Sequence, residues 1–347
     1  MKQHLVFGAG LIGTYIGCML NEMGCRVSLI GRQLWLEQFD STFSLTDYQQ
    51  HQLLTALPNW QDLAGKQVSN KELKKADIVW LTVKCTGLES ALHELIPFVH
   101  PDTTIVACQN GLGSDVLIQQ FFPANKLLKA IVGFNVVKTD SGLHKSTEGD
   151  LYLETGDKRE GEQLASLFNH PLFLAKSIDN IEAMQWAKLQ LNLANAVNAV
   201  ADIPVKQMLL QRPYRQIIAQ LMRELLAVTN EKQLTLPQLT RVKASWLPGI
   251  LSLPDWLFKR VANQMLQIDE DAYTSMWWDI KNNKRTEIDF LNSQLVKQAE
   301  LVDIATPVNR RLVKLVRDIE AGITENGIGA ASLHNMLLSP VNNRSQS

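Results

Sequence analysis

Cysteine is scarce in this 347-residue chain: Cys18, Cys25, Cys85 and Cys108, all in the first third. No pair has the C-x-x-C spacing of a zinc or redox site, which excludes a disulfide scaffold and leaves reduced thiols in a cytoplasmic protein as the expectation. Long apolar runs are missing too. None approaches the roughly 18 residues that span a bilayer, so no membrane partner is expected. The opening Met-Lys-Gln-His and the apolar stretch behind it have the outline of a secretory signal. However, Gly8, Gly10, Gly13 and Gly17 interrupt that stretch and no A-x-A site follows. Charge of one sign is also lacking: 34 Lys+Arg face 35 Asp+Glu. A non-specific nucleic-acid binder needs a basic excess, so no nucleic-acid partner is expected. With 20% charged residues, 12 prolines and 19 glycines, a disordered or fibrous chain is excluded. What is plentiful is apolar residue, 46%, on a length that suggests about two domains around a large core.

The two halves differ in pattern. Residues 4–8 read as a buried strand, followed by a glycine turn and an apolar helix to about Met23, where Gly24 offers a stop. Further strands are expected at 26–30, 78–83, 104–108 and 127–134, with 31–73 less regular. Continuous β-branched runs of this kind belong to strands buried on both faces of a parallel sheet. Strands alternating with helices imply a doubly wound sheet, with Leu151–Glu154 as an antiparallel addition near its edge. From Asp179 the pattern turns helical, over 179–200, 211–232, 255–280, 286–301 and 307–321. The expected organisation is α/β: a Rossmann domain over 1–175, an all-α domain over 176–340 and a disordered tail at 341–347.

Gly8, Ala9, Gly10, Leu11, Ile12 and Gly13 form a G-x-G-x-x-G turn between strand and helix. The first glycine permits the tight turn, the second lets backbone approach a pyrophosphate, and the third lets the helix pack on the strand. The helix N-terminus supplies free N–H groups to phosphate. At the end of the second strand, NAD binders carry an acid for the ribose 2′-OH, whereas this chain has Gly31-Arg32. A guanidinium suits a 2′-phosphate, which favours NADPH/NADP+; a plain surface arginine is the bland alternative. Lys84 and Asn110 close two further strands, at the carboxyl ends where ligands of open α/β sheets bind. Each could instead be a solvated turn residue.

In the helical half, Lys188, Asn192 and Asn195 are spaced i, i+4, i+7 on one face of an otherwise apolar stretch. They could donate a proton and bind polar substrate groups, or be a snorkelling lysine with structurally satisfied amides. Ser275 and Asp279 share a helical face, and Glu287 follows a turn-like Lys281–Arg285. Together they could line a small polar site. No His/Asp/Glu cluster has ligand spacing, so no metal is expected.

In their order and spacing these pieces resemble the ketopantoate reductases (2-dehydropantoate 2-reductases), over about residues 4–320. The resemblance implies an N-terminal Rossmann domain, a helical C-terminal domain and an active site in the cleft between them. It implies NADPH-dependent reduction of ketopantoate, a small 2-oxo acid, to (R)-pantoate for pantothenate and coenzyme A synthesis. By position, Lys188 resembles the general acid. Asn192 and Ser275 resemble substrate-binding residues, Asn110 one serving cofactor and substrate, and Glu287 an acid at the nicotinamide end. Asp279 matches a recurrent motif position, and both it and Asn195 join the substrate-binding candidates. Some members carry a further Asn where this chain has Ala196, for which Asn195 or Asn198 could substitute although neither has the same helical phase, and many have Asn-Gly where it has Asn292-Ser293. The segment 246–258 resembles a feature of longer members. Its two prolines and apolar residues suggest a cover over the cleft or a subunit contact, as in a homodimer, with core packing as the alternative. Two other readings stand beside this one: an NADPH-dependent reductase of another 2-oxo acid or imine, and a non-catalytic NADPH-binding regulator.

Overall fold

The computed structural model describes residues 2–62, 75–262, 266 and 269–339. The tail expected at 341–347 lies outside the described residues. The chain divides into two compact units, one running to Glu182 and the other starting at Ala183.

In the first unit the strands are β1 (Gln3–Phe7), β2 (Arg26–Gly31), β3 (Phe43–Asp47), β4 (Gln52–Thr55), β5 (Asn59–Asp62), β6 (Ile78–Leu81) and β7 (Thr104–Ala107). They continue with β8 (Lys126–Val132), β9 (Val136–Thr139), β10 (Gly142–Lys145), β11 (Leu151–Glu154), β12 (Asn169–His170) and β13 (Phe173–Ile178). The helices are α1 (Leu11–Glu22), α2 (Gln33–Leu36), α3 (Leu88–Leu95), α4 (Ser114–Phe121) and α5 (Glu160–Ala165). The main sheet has the order β12-β13-β11-β8-β7-β6-β1-β2-β5. From β5 to β8 every pairing is parallel. Counted along the chain, those six strands lie in the order 3-2-1-4-5-6, which reverses between β1 and β6 and opens a ligand crevice at their carboxyl ends.

Apolar residues on both faces of the strands explain the layers. Val6, Leu29, Trp80 and Val106 pack under Tyr15, Ile16, Met19 and Leu20 of α1. Leu5, Phe7, Val79 and Leu81 pack against Leu88, Leu92 and Leu95 of α3. The irregular stretch after residue 31 contains β3 and β4, which join β10 and β9 in a separate four-stranded sheet.

Leu151–Glu154 pairs antiparallel with β8 near the edge of the sheet, as expected, with β13 and then β12 beyond it. The boundary expected at 175/176 falls inside β13, whose ladder with β11 runs on to Ile178. The polar residues in Phe173-Leu-Ala-Lys-Ser-Ile178 mask that strand in the sequence.

The second unit contains most of α6 (Ile181–Ala201), then α7 (Val205–Leu210), α8 (Arg212–Glu231), α9 (Leu247–Leu251), α10 (Asp255–Val261), α11 (Ser275–Lys281), α12 (Asn292–Glu300), α13 (Pro307–Glu320) and α14 (Ala330–Leu338). The helix expected over 255–280 is therefore two. The second restarts at Thr274, whose Oγ1 accepts from the Trp277 N–H and caps it. The helix expected at 286–301 is likewise a 3₁₀ turn, Glu287–Asp289, followed by α12; Thr286 caps the turn. No helix among the described residues is long and apolar enough to cross a membrane.

Two buried charges organise this unit. Glu224 on α8 accepts from the Val308 and Asn309 N–H groups at 2.9 and 3.0 Å, satisfying the free first turn of α13. Burial nonetheless pushes its pKa up. Arg215, fully buried, donates to the carbonyls of Leu209, Leu251 and Leu253 and to Asp255, and its guanidinium lies 4.1 Å from the Phe258 ring centroid. It ties the segment 246–258 to α8. Leu247, Leu251 and Phe258 of that segment are buried, whereas Trp246 and Trp256 are exposed. One face of the segment thus packs in the core. Arg215→Met is expected to cost about 3–5 kcal/mol, because the buried carbonyls of Leu209 and Leu251 and the half-buried one of Leu253 lose their donor at once. Urea unfolding checks this, and a loss below about 1 kcal/mol would mean that water replaces the guanidinium.

Candidate active site

The glycine turn is built from both sides of the crevice. Gly8 and Ala9 donate their N–H groups to the Ile30 carbonyl at 2.9 and 2.8 Å, and so couple the turn to the end of β2. A Cβ at Gly8 (φ +101°) would come within 2.5 Å of Val83 Cγ1, and one at Gly13 within 2.6 Å of the Gly8 carbonyl oxygen. Both positions require glycine for packing within the chain. Gly10 differs: its exposed Cα would direct a Cβ into open space, with Gly8 O, at 4.0 Å, as the nearest atom. No contact within the chain requires glycine there. This is the fit expected for a pyrophosphate over the α1 N-terminus, where Leu11 is exposed and Ile12 half-buried.

Arg32 is exposed at the end of β2, and its carbonyl accepts from the Trp35 and Leu36 N–H groups to start α2. Trp35 in turn donates its indole N–H to Thr14 Oγ1 on α1 at 3.1 Å, which fixes this corner beside the glycine turn. Lys84 is exposed after β6, where its carbonyl accepts from the Gly87 N–H. Asn110 is half-buried after β7, and the Cys85 thiol donates to its carbonyl at 3.3 Å. The fold therefore brings the glycine turn, Arg32, Lys84 and Asn110 to the carboxyl ends of neighbouring parallel strands.

Two residues that sequence reasoning missed hold those ends together. Thr82 donates its hydroxyl to the Gly8 carbonyl at 2.9 Å, pinning the turn of β1 to β6. Gln109, buried, donates its amide to the carbonyls of Leu81 and Val83 at 2.8 and 3.2 Å and so clamps β6 to β7. A polar residue immediately after an apolar strand run is the signal that marks each.

In the second unit, Lys188, Asn192 and Asn195 are all half-buried on α6. Asn198 is fully buried and committed elsewhere: its Nδ2 donates to the Ile203 carbonyl at 2.7 Å, and its Oδ1 accepts from Thr274 N and Oγ1. Thr274 Oγ1 also reaches the Asn195 carbonyl at 3.5 Å. Asn198 is thus a structural amide that stitches the start of α11 to α6, which brings exposed Ser275 to the helix carrying Lys188. Of the two asparagines flanking Ala196, Asn195 is therefore the one with an uncommitted role. Asp279, on the same helix as Ser275, is buried rather than exposed. Glu287 is buried in its 3₁₀ turn, which Thr286 caps and Glu320 holds through the Thr286 N–H at 2.6 Å. Asn292 is fully buried and donates to Asn309 Oδ1, so it belongs to the Glu224 core network. Among the described residues, no group of three or more His, Cys, Asp or Glu side chains could hold a metal ion.

Comparison with known proteins agrees with this arrangement. Residues 4–158 match the family described as ketopantoate reductase PanE/ApbA, and residues 180–320 match the family's C-terminal part. The chain belongs to the ketopantoate reductase family. The 2-dehydropantoate 2-reductase of Archaeoglobus fulgidus is 23% identical over 326 residues, covering 92% of this chain and 98% of that one. The Vibrio cholerae enzyme of the same name is 25% identical, with 91% and 97% covered. Among solved structures, a PanE/ApbA family ketopantoate reductase from Ralstonia eutropha JMP134 superposes with a TM-score of 0.73 at 24% identity, covering 92% of this chain and 99% of that one. A D-mandelate dehydrogenase with NADH and anilino(oxo)acetate superposes with a TM-score of 0.72 at 20% identity, again with 92% and 99% covered. At such identities these two structures establish the shared fold.

Proposed function

We propose that the protein reduces 2-dehydropantoate to pantoate with NADPH. The observation that carries the reading is that the curated 2-dehydropantoate 2-reductases align along nine tenths of the chain, through both units. NADPH, when bound, supplies the hydride. The open space above Gly10 accepts its pyrophosphate, and Arg32 its 2′-phosphate, which the exposed guanidinium can grip with paired N–H donors. Lys84 adds a cation for phosphate, Asn110 an amide for the ribose or the substrate, and Glu287 an acceptor at the nicotinamide end.

From the second unit, Lys188 donates the proton to the nascent alkoxide and opposes the charge growing on that oxygen. Asn192, Asn195 and Ser275 bind the substrate carboxylate and hydroxyl without adding negative charge. Asp279, being buried, acts as a positioning residue behind Ser275. The test follows NADPH oxidation by the purified chain across branched 2-oxo acids, ketopantoate included, with the product's handedness determined. Turnover that favours another acid by more than about tenfold would move the assignment to that acid, because one methylene in a pocket is worth about that much. NADPH binding with no turnover on any acid would make the chain a binding protein.

The cofactor assignment makes its own prediction. Arg32→Ala is expected to weaken NADPH binding by about ten- to a hundredfold, the value of about 1.5–3 kcal/mol for a hydrogen bond to a charged group. NADH, lacking the 2′-phosphate, should bind nearly as before. Fluorescence titrations with both cofactors measure it, and an equal loss for the two would remove Arg32 from the site.

A further inference from the structure

The strand ends that carry Lys84 and Asn110 are joined by side chains where the sheet's ladder stops. That ladder, between β6 and β7, closes with the Cys108 N–H donating to the Leu81 carbonyl at 3.0 Å. Past it, Gln109 from the β7 side donates its amide to the carbonyls of Leu81 and Val83 at 2.8 and 3.2 Å. Cys85 from the β6 side donates its thiol to the Asn110 carbonyl at 3.3 Å. The two links run in opposite directions. One joins the residue before Asn110 to the residue before Lys84; the other joins the residue after Lys84 to Asn110 itself. Lys84 and Asn110 therefore sit in one closed ring, made of two side-chain bonds and the short backbone stretches 83–85 and 109–110. The Gly87 N–H, donating to the Lys84 carbonyl at 3.0 Å, fixes the β6 side of that ring.

Neither donor is a surface group that happens to reach a carbonyl, since Cys85 is 3% exposed and Gln109 6%. Gln109 is also a poor choice for packing alone. Its two carbonyl acceptors determine which amide atom is the nitrogen. The Oε1 left over is buried and has no hydrogen-bond partner among the described residues. A buried acceptor without a donor lowers stability. Features that lower stability and are kept nonetheless concentrate at functional sites.

We infer that Cys85 and Gln109 are positioning residues that act through Asn110, holding its amide in fixed register with Lys84. Neither touches a ligand. Their work is to deny Asn110 the small displacements that make a hydrogen bond to cofactor or substrate miss its partner. The inference rests on the reading of Asn110 as a residue of the cofactor and substrate site.

Double-mutant cycles with Asn110→Ala test it on the full-length protein. The readouts are the NADPH Kd by fluorescence titration and KM and kcat for the 2-oxo acid that it reduces. Asn110→Ala alone should raise the NADPH Kd or the KM for the acid by about three- to tenfold, the worth of one hydrogen bond. Cys85→Ala should raise the same constant by about threefold, with kcat changed less. Gln109→Met, which keeps the side chain's length but removes both donors, should raise it by about fivefold. Cys85→Ser, whose hydroxyl still donates to the carbonyl, should stay within about 1.5-fold of the parent. In the Asn110→Ala background, Cys85→Ala and Gln109→Met should each add less than about 1.5-fold, because the group they position is gone. Side chains that only support the fold would instead multiply with Asn110→Ala, and full additivity overturns the inference. So does a Cys85→Ser variant as impaired as Cys85→Ala. If Gln109→Met fails to fold in urea-unfolding controls, the Cys85 cycle decides alone. An impaired Asn110→Ala beside parent-like Cys85→Ala and Gln109→Met overturns the inference and leaves Asn110 in the site. An Asn110→Ala variant with all three constants unchanged removes Asn110 from the site, and the inference falls with it.

Discussion

Replacing Lys188 with Met is expected to lower kcat by about 10²–10⁴-fold, the usual worth of a positioned general acid, while NADPH affinity stays within about twofold of the parent. The carbonyl oxygen of a 2-oxo acid gains negative charge only as hydride arrives, so a cationic donor there acts in the transition state rather than on the bound substrate. The fall should therefore appear in kcat and kcat/KM together, with KM changed much less. The side chain is half-buried between buried Ala187 and Leu189, and Met preserves its apolar stem. Asn198 and Thr274 join α6 to α11. Urea unfolding of the variant beside the parent separates loss of turnover from loss of fold. The decisive comparison is single-turnover reduction by Lys188→Met beside an NADPH titration. Near-parent turnover would leave Lys188 a structural residue and transfer the acid's role to another group.

The parts of this protein most legible in its sequence are those where one requirement dictates one residue type. The buried strand Ile78–Leu81 reads as a continuous apolar run because both of its faces are covered. The glycine turn is legible because two of its glycines answer clashes with backbone or a neighbouring strand. Strand β13 is not legible, because Lys176 and Ser177 meet partly open surroundings and break its pattern. The break before α11 is hidden in a similar way. Thr274 looks like any threonine until Asn198, 76 positions earlier, is seen to hold it. Long-range amide bonds of this kind leave no local trace, and so Asn198 could be mistaken for a substrate residue. Thr82 and Gln109 fall between these cases. Their position after a strand is visible, but their carbonyl partners belong to other strands.

The same glycine turn supports the second large effect, in which two one-methyl substitutions two residues apart fail for different reasons. Gly10→Ala should fold as the parent does, with stability within about 0.5 kcal/mol, yet bind NADPH at least about tenfold more weakly. Its backbone, φ −87° and ψ −158°, is open to any L-residue, and no protein atom lies closer than 4.0 Å to the added methyl. Only the pyrophosphate would meet it. Gly8→Ala should instead destabilise the protein by about 2–4 kcal/mol. Its φ of +101° excludes an L side chain, and the methyl would lie 2.6 Å from the Val83 backbone nitrogen, which cannot rotate away. Urea unfolding and NADPH titration on both variants separate the two causes. If Gly10→Ala binds NADPH like the parent, the cofactor does not approach this turn, and the helix N-terminus would lose its assigned role. If Gly8→Ala is as stable as the parent, the contact between the turn and β6 is looser than 2.6 Å implies. Thr82, which shares that contact, would then no longer be the pin that sets the crevice.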